Sequence, residues 1–162
     1  MKDDRDDNLA HYLSNHLAGS VAGVELVKMM ISENRGKELA PFLQVLLKEL
    51  EEDQEVVRRC LKEMGRRGNM IKEMGAWTIE KLAFSPLTGL ADASLLRPVV
   101  ELEGILIGTL GRHAMWRLLE RFHQNDPRFA FVDFTFLRER AERQAEELER
   151  HRQQAGAVAT AR

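Results

Sequence analysis

Four polar side chains interrupt stripes of apolar residues that recur at helical spacing. They are His16, Asp53, Gln54 and Glu103. Glu103 is the most unusual of them, because its neighbours along the stripe, Val100 and Ile107, are both aliphatic. A carboxylate in that position could ligate a metal ion or exchange protons with a raised pKa. It could equally be a structural group that is buried together with a hydrogen-bonding partner.

The structural interpretation is the favoured one, with His16 as the leading partner of Glu103. A histidine on an apolar helix face is more often a satisfied core residue than a ligand. The pairing would keep Glu103 ionised and raise the pKa of the His16 imidazole. Asp53 and Gln54 fall on the matching stripe of another helix. We therefore predict a buried polar layer that contains His16, Asp53, Gln54 and Glu103.

The helix that must position Glu103 runs from Leu95 to His123. It is apolar on two sides, which indicates that protein packs against both. We predict that its inward stripe consists of Leu96, Val100, Glu103, Ile107, Leu110, Ala114, Leu118 and Phe122. The opposite side carries Leu102, Ile105, Thr109 and Trp116, and we expect one chain to cover it only partly. Apolar surface left open in this way favours a homodimer.

Four further helices are predicted around this central one. After a flexible acidic leader at residues 1–7, Asp7 or Asn8 caps a first helix that ends near Gly36. A second helix runs from about 38 to 64. A short third helix, 69–84, has the length to cross the bundle, and a last helix covers about 133–154. The bundle domain then spans 8–154, and residues 155–162 are expected to form a disordered tail.

Glycines mark one edge on the first helix and one on the central helix. The first edge carries Gly19 and Gly23, and the second carries Gly104, Gly108 and Gly111. Glycine lets helix axes approach more closely than larger side chains do. We therefore predict that the two edges contact each other.

The composition excludes several classes of protein. The chain has 162 residues, a formal net charge of −2 and 44 % hydrophobic residues, which suits one soluble domain and argues against nucleic-acid binding. No run of residues is long and apolar enough to suggest a membrane span, and the acidic start lacks the apolar core of a signal peptide. Cys60 is the only cysteine. We expect a cytoplasmic protein that binds neither nucleic acid nor membrane.

Four segments carry a family resemblance. They are HLAGSVAGVEL (16–26), KELEEDQEVV (48–57), VELEGILIG (100–108) and GRHAMWRLLERF (111–122). Together they resemble segments of small bacterial ferritin-like helical proteins of unassigned function. The resemblance implies an all-α, ferritin-like four-helix bundle with a short additional crossover helix. These segments are packing motifs, so the resemblance bears on the fold more than on an activity.

Ferritin-like folds often hold a di-iron site, which takes one Glu from each of two helices and a Glu-x-x-His pair from each of the others. This sequence has one such pair, Glu120 and His123, at the end of the central helix. The sequence therefore favours a non-enzymatic structural or interaction protein without a cofactor. The alternative is a metal-dependent oxidoreductase or metal-storage protein whose incomplete site holds iron or manganese. Its ligands would be His16, Glu25, Glu51, Glu52 and Glu103.

Overall fold

The computed structural model describes residues 2–66 and 95–161, and over these residues the secondary structure is helical. The four long helices are α1 (Lys2–Glu33), α2 (Leu39–Glu63), α3 (Arg97–His123) and α4 (Phe134–Thr160). A 3-10 turn at Pro127–Phe129 lies between α3 and α4. The crossover helix predicted over 69–84 lies outside the described residues.

The helices pack side by side as a bundle. Extensive contacts join α1 to α2 and α3 to α4, and α1 also packs against α3. The connections within both pairs are short, so each pair forms an antiparallel hairpin. The fold is therefore an all-α bundle, as predicted.

Local sequence signals explain where several helices begin and end. Gly36 follows α1 with a φ of 75°, and Gly65 follows α2 with a φ of 78°. Both glycines thus adopt the left-handed conformation that commonly ends a helix. At the start of α4, the Asp133 side chain accepts a hydrogen bond of 2.9 Å from the backbone N–H of Phe136, which caps the first turn.

Two helices extend beyond their predicted limits. Helix α1 begins at Lys2, within the segment predicted to be a leader, and Arg128 donates hydrogen bonds of 3.0 and 3.1 Å to Asp6 there. Helix α4 continues through Thr160, and Ala155 packs against the hydrophobic core. These contacts stabilise helical structure in two segments for which local propensity does not predict it. Tertiary packing supplies most of the stability of a helix in a protein.

The hydrophobic core consists of two clusters, one towards each end of the bundle. The first includes Leu13, Trp116, Leu119, Phe129 and Phe134, where the 3-10 turn closes the bundle. The second includes Val27, Met30, Leu43, Leu46, Leu102 and Leu148 at the opposite end. All four helices contribute to both clusters. Between them, each helix passes through a stretch in which the inward side chains are polar.

The prediction of which face of α3 points inwards is wrong. The buried residues of α3 are Glu101, Leu102, Ile105, Thr109, Arg112, Met115, Trp116 and Leu119. The predicted inward stripe lies outside, with Ile107 70 % and Phe122 68 % exposed. The physical reason is side-chain size. Trp116, Met115 and Leu119 fill the space between helices, whereas the outer side is interrupted by Gly104, Gly108 and Gly111 and by Ala114.

Among the described residues, the predicted contact between the glycine edges is absent at Gly19, Gly23, Gly108 and Gly111. A Cβ atom added at Gly19, Gly23, Gly108 or Gly111 would meet no neighbouring heavy atom within 4 Å. These glycines therefore do not bring two helices together within the chain.

Candidate functional site

A layer of polar side chains crosses the bundle between the two hydrophobic clusters, and we call it the arginine layer. Its members are Ser20 on α1, Asp53 and Gln54 on α2, Thr109 and Arg112 on α3, and Arg140 and Gln144 on α4. Ser20 is half-buried and the other six residues are buried. Buried charges are found in proteins where they are paired, so the pairing in this layer defines what it can do.

Two arginines from different helices converge on one carboxylate at the centre of the layer. Arg140 Nη2 donates a hydrogen bond of 2.6 Å to Asp53 Oδ1, and Arg112 Nε lies 2.8 Å from Asp53 Oδ2. Asp53 itself is only 3 % exposed. Both of its carboxylate oxygens are therefore engaged by guanidinium groups, and α2 is tied to α3 and α4 at the same level of the bundle.

Amide and carboxylate groups at the edge of the layer bind a terminal nitrogen of each arginine, whereas the buried Nε atoms of Arg112 and Arg140 make no hydrogen bond. Arg140 Nη1 donates to Glu52 Oε2 at 2.7 Å. Arg112 Nη2 donates to Gln144 Oε1, and Gln144 Nε2 donates in turn to Glu49 Oε2 at 2.6 Å. A single chain of hydrogen bonds thus runs from α3 through α4 to α2.

Gln54 connects the layer to α1. Its Nε2 donates to Ser20 Oγ at 3.0 Å, and its Oε1 accepts from Arg58 Nη2 at 3.1 Å. The Ser20 hydroxyl donates to the carbonyl of Leu17 at 2.6 Å. With this link all four helices take part in the layer.

Burial dominates the electrostatics of the central groups. Desolvation raises the pKa of the Asp53 carboxyl, and the charges of Arg112 and Arg140 oppose that rise. Desolvation also lowers the pKa of the Arg112 guanidinium, against the attraction of Asp53. Burying each of these charges therefore costs free energy, and attraction to the oppositely charged groups of the layer offsets that cost. Removing one member would leave the rest buried without compensation.

The two remaining members of the predicted polar layer, Glu103 and His16, do not meet. The Glu103 side chain is 47 % exposed and accepts a hydrogen bond of 3.0 Å from Arg152 Nη1 on α4. The half-buried His16 ring instead makes an edge contact with Tyr12, with ring centroids 4.6 Å apart. Burial lowers the pKa of His16, which is opposite to the predicted direction. The reversed orientation of α3 explains the error, because it carries Glu103 to the outside.

The carboxylates among the predicted metal ligands are likewise each paired with a cationic side chain. Glu25 lies 3.1 Å and Glu51 3.8 Å from the ammonium group of Lys28 on the surface. Glu52 is bound by Arg140, as described above. In the part of the chain that the structure describes, no group of three or more His, Cys, Asp or Glu side chains is placed to hold a metal ion. These residues therefore do not fit an iron or manganese site.

The Glu-x-x-His pair at the end of α3 is engaged in a different way. Glu120 accepts hydrogen bonds of 2.7 Å from the Thr135 hydroxyl and from Arg138 Nε. His123 makes an edge contact with Phe129 in the 3-10 turn. Glu120 therefore joins α3 to the first turns of α4, and His123 joins it to the 3-10 turn.

Sequence reasoning missed the residues that dominate the layer, Arg112, Arg140 and Gln144. A signal for them exists in the spacing of the buried side chains. Arg112 follows Ile105 and Thr109 and precedes Trp116 at intervals of four, three and four residues. Gln144 lies between Leu137, Ala141 and Leu148 at the same intervals. Such spacing is the heptad pattern of inward positions, whatever the polarity of the side chain.

The fold and its core define an all-α helical bundle with an ion-paired polar layer. The chain matches no protein-family model, and comparisons with curated proteins and with solved structures find no significant match. Among the described helices, none combines the length and the apolar character needed to cross a membrane.

Proposed function

We propose that this chain is a non-enzymatic, ferritin-like helical bundle that acts as a structural or interaction protein. The observation that carries the proposal is the position of Arg112 and Arg140 around Asp53. Two guanidinium groups fill the middle of the bundle, where ferritin-like metal proteins direct carboxylates inwards. A positive charge at that level repels a metal cation, and it already neutralises the buried carboxylate.

The arrangement of hydrogen bonds also supports a structural role. Catalytic acids and bases must reach a substrate, whereas Asp53 is buried and both of its oxygens are bound. Both polar atoms of the Gln144 amide are bound as well. Hydrophobic clusters lie on either side of the layer. Such a network joins helices, and the two described donors of the layer that make no hydrogen bond, Arg112 Nε and Arg140 Nε, are buried within it.

The ferritin-like assignment rests on the sequence resemblance together with the four long helices. The proposed cytoplasmic location is based on the burial and protonation of Cys60, the only cysteine in the sequence. Cys60 is buried, and burial raises the pKa of its thiol to about 12. A thiol of this kind stays protonated and inert, which suits a reducing compartment without requiring a disulfide.

Metal content tests this proposal directly. The full chain is expressed in medium supplemented with iron and manganese, purified without chelator, and analysed by inductively coupled plasma mass spectrometry. We expect far less than one metal ion per chain, and a melting temperature that neither added Fe²⁺ or Mn²⁺ nor EDTA changes. One or two ions per chain would overturn the proposal in favour of the metal-dependent alternative. Loss of those ions in Glu103→Gln would identify the predicted ligand set as their site.

A further inference from the structure

The outer side of α3 carries an apolar surface, which we call the outer α3 face. Its large side chains are between 36 % and 70 % exposed: Leu96, Ile107, Leu110, Leu118 and Phe122. The face extends over most of the helix, and no other described element covers it. It is distinct from scattered surface leucines because its members follow each other at helical spacing along one stripe.

We propose that the outer α3 face binds the same face of a second copy of this chain, with the two α3 helices antiparallel. The inference gives the proposed interaction protein its partner, and so it rests on the proposed function. It also replaces the predicted dimer surface, since Leu102, Ile105, Thr109 and Trp116 are buried within the chain.

The size of the face fits a homodimer. The five exposed side chains present on the order of 500 Å² of apolar surface, at the upper end of what monomers expose in one patch. A standard interface buries about 800 Å² per partner, of which somewhat more than half is apolar. Pairing the face with itself would therefore supply most of the apolar part of such an interface.

Small residues let two copies approach closely. Gly104 and Gly111 lie beside Ile107, and Ala114 lies between Leu110 and Leu118. A Cβ atom added at Gly111 would meet no neighbouring atom within 4 Å. The larger side chains of one copy can therefore pack over the glycine and alanine positions of the other.

The charges along the face favour the antiparallel orientation. Glu103 lies towards the start of α3, and the exposed residues Arg117 and Arg121 lie towards its end, on the same edge of the stripe as Glu103. A two-fold axis near Leu110 and Gly111 places Glu103 of each copy, which also accepts a hydrogen bond from Arg152 of its own chain, beside the arginines of the other. In a parallel pair, Glu103 and Arg117 would stay about 21 Å apart along the axis, because a helix rises about 1.5 Å per residue.

Analytical ultracentrifugation of the full chain tests whether the face associates. We expect a dimer, at twice the chain mass of 18.6 kDa, at concentrations up to about 100 µM. Ile107→Glu introduces two carboxylates into the interface and should raise the dissociation constant at least about a hundredfold. Val45→Glu is the matched control, since Val45 is an exposed valine on α2. It should leave the dissociation constant unchanged, and circular dichroism should show that both variants keep their helices.

Cysteine cross-linking tests the orientation. Under mild oxidation Leu110→Cys should form a disulfide between copies, because a residue next to the two-fold axis faces its own counterpart. Phe122→Cys should not, because the antiparallel pair holds its two copies at opposite ends of the interface. Native Cys60 is 1 % exposed and does not compete. A disulfide at Phe122→Cys in place of Leu110→Cys would overturn the antiparallel arrangement.

The results separate this inference from the proposed function. A parent chain that stays monomeric would overturn the self-association. A dimer that resists Ile107→Glu would overturn the choice of surface. Neither result bears on metal content, which alone decides whether the bundle is a metal protein.

Discussion

Neutralising Asp53 should destabilise the fold far more than neutralising a surface carboxylate. In Asp53→Asn the side chain keeps its size but loses its charge, so Arg112 and Arg140 remain buried against an amide. Arg140 retains Glu52, which is itself about half exposed, and Arg112 retains Gln144. Breaking a buried ion pair by removing one partner costs about 3–5 kcal/mol. For a domain of this size, that loss lowers the melting temperature by roughly 10 °C.

Urea unfolding followed by circular dichroism measures the effect. The matched control is Glu25→Gln, which makes the same change in an ion pair of 3.1 Å whose two side chains are about half exposed. Surface pairs contribute about 0–1 kcal/mol, so the control should unfold close to the parent. If Asp53→Asn and Glu25→Gln shift the urea midpoint equally, the arginine layer is not desolvated and the reasoning about it fails.

Replacing Asp53, Arg112 and Arg140 together separates the free energy gained by ion pairing from the free energy lost by burying charge. The triple variant Asp53→Leu, Arg112→Met and Arg140→Met leaves no buried charge in the arginine layer, so it should be within about 1 kcal/mol of the parent or more stable. A triple variant less stable than Asp53→Asn would contradict this, and would show that the ion pairs contribute net stability beyond their own desolvation.

Two further outcomes are expected. Burial lowers the folded-state pKa of His16 below its ordinary value of 6.5, so the unfolded chain binds more protons as the pH falls. Stability from the neutral imidazole is therefore complete above about pH 6.5 and is lost as the pH falls to the lower folded-state pKa. Urea midpoints between about pH 7.5 and pH 5 should decline less in His16→Gln than in the parent, and equal slopes would contradict this. Gly19→Ala should stabilise α1 by about 0.5–1 kcal/mol, because the added methyl group meets no neighbouring atom. A lower melting temperature for that variant would show an unseen contact at Gly19.

The elements that sequence reasoning predicts well are those with a local cause. The stop at Gly36 needs only the left-handed conformation that glycine adopts without steric cost. The start of α4 needs only the Asp133 side chain three residues before the amide that it caps. The inward stripe of α2, including Asp53 and Gln54, follows from a helix with one apolar side. In each case the deciding interaction lies within a few residues of the chain.

The residues of the candidate site depend instead on neighbours distant in sequence. Glu103 is predicted to need a buried partner, yet its partner is Arg152, a partly exposed residue of α4. From the sequence alone, Arg112 and Arg140 are expected at the surface, because arginine is rarely buried unless it is paired. The heptad spacing points Arg112 inwards, and pairing with Asp53 is what allows its charge to be buried there.

The arginine layer also helps to determine how α3 is rotated in the bundle. Side-chain size favours burial of the side that carries Met115, Trp116 and Leu119, and the arginine layer favours the same orientation. One orientation buries Ile107 and Leu110, and it would turn Arg112 away from Asp53 and Gln144. The observed orientation pairs Arg112 with both and leaves Ile107 and Leu110 outside. A polar group in a helical core can fix the alignment of helices in this way even where it adds little stability. The same ion pairs that organise the core therefore help to determine which side of α3 is available to a second chain.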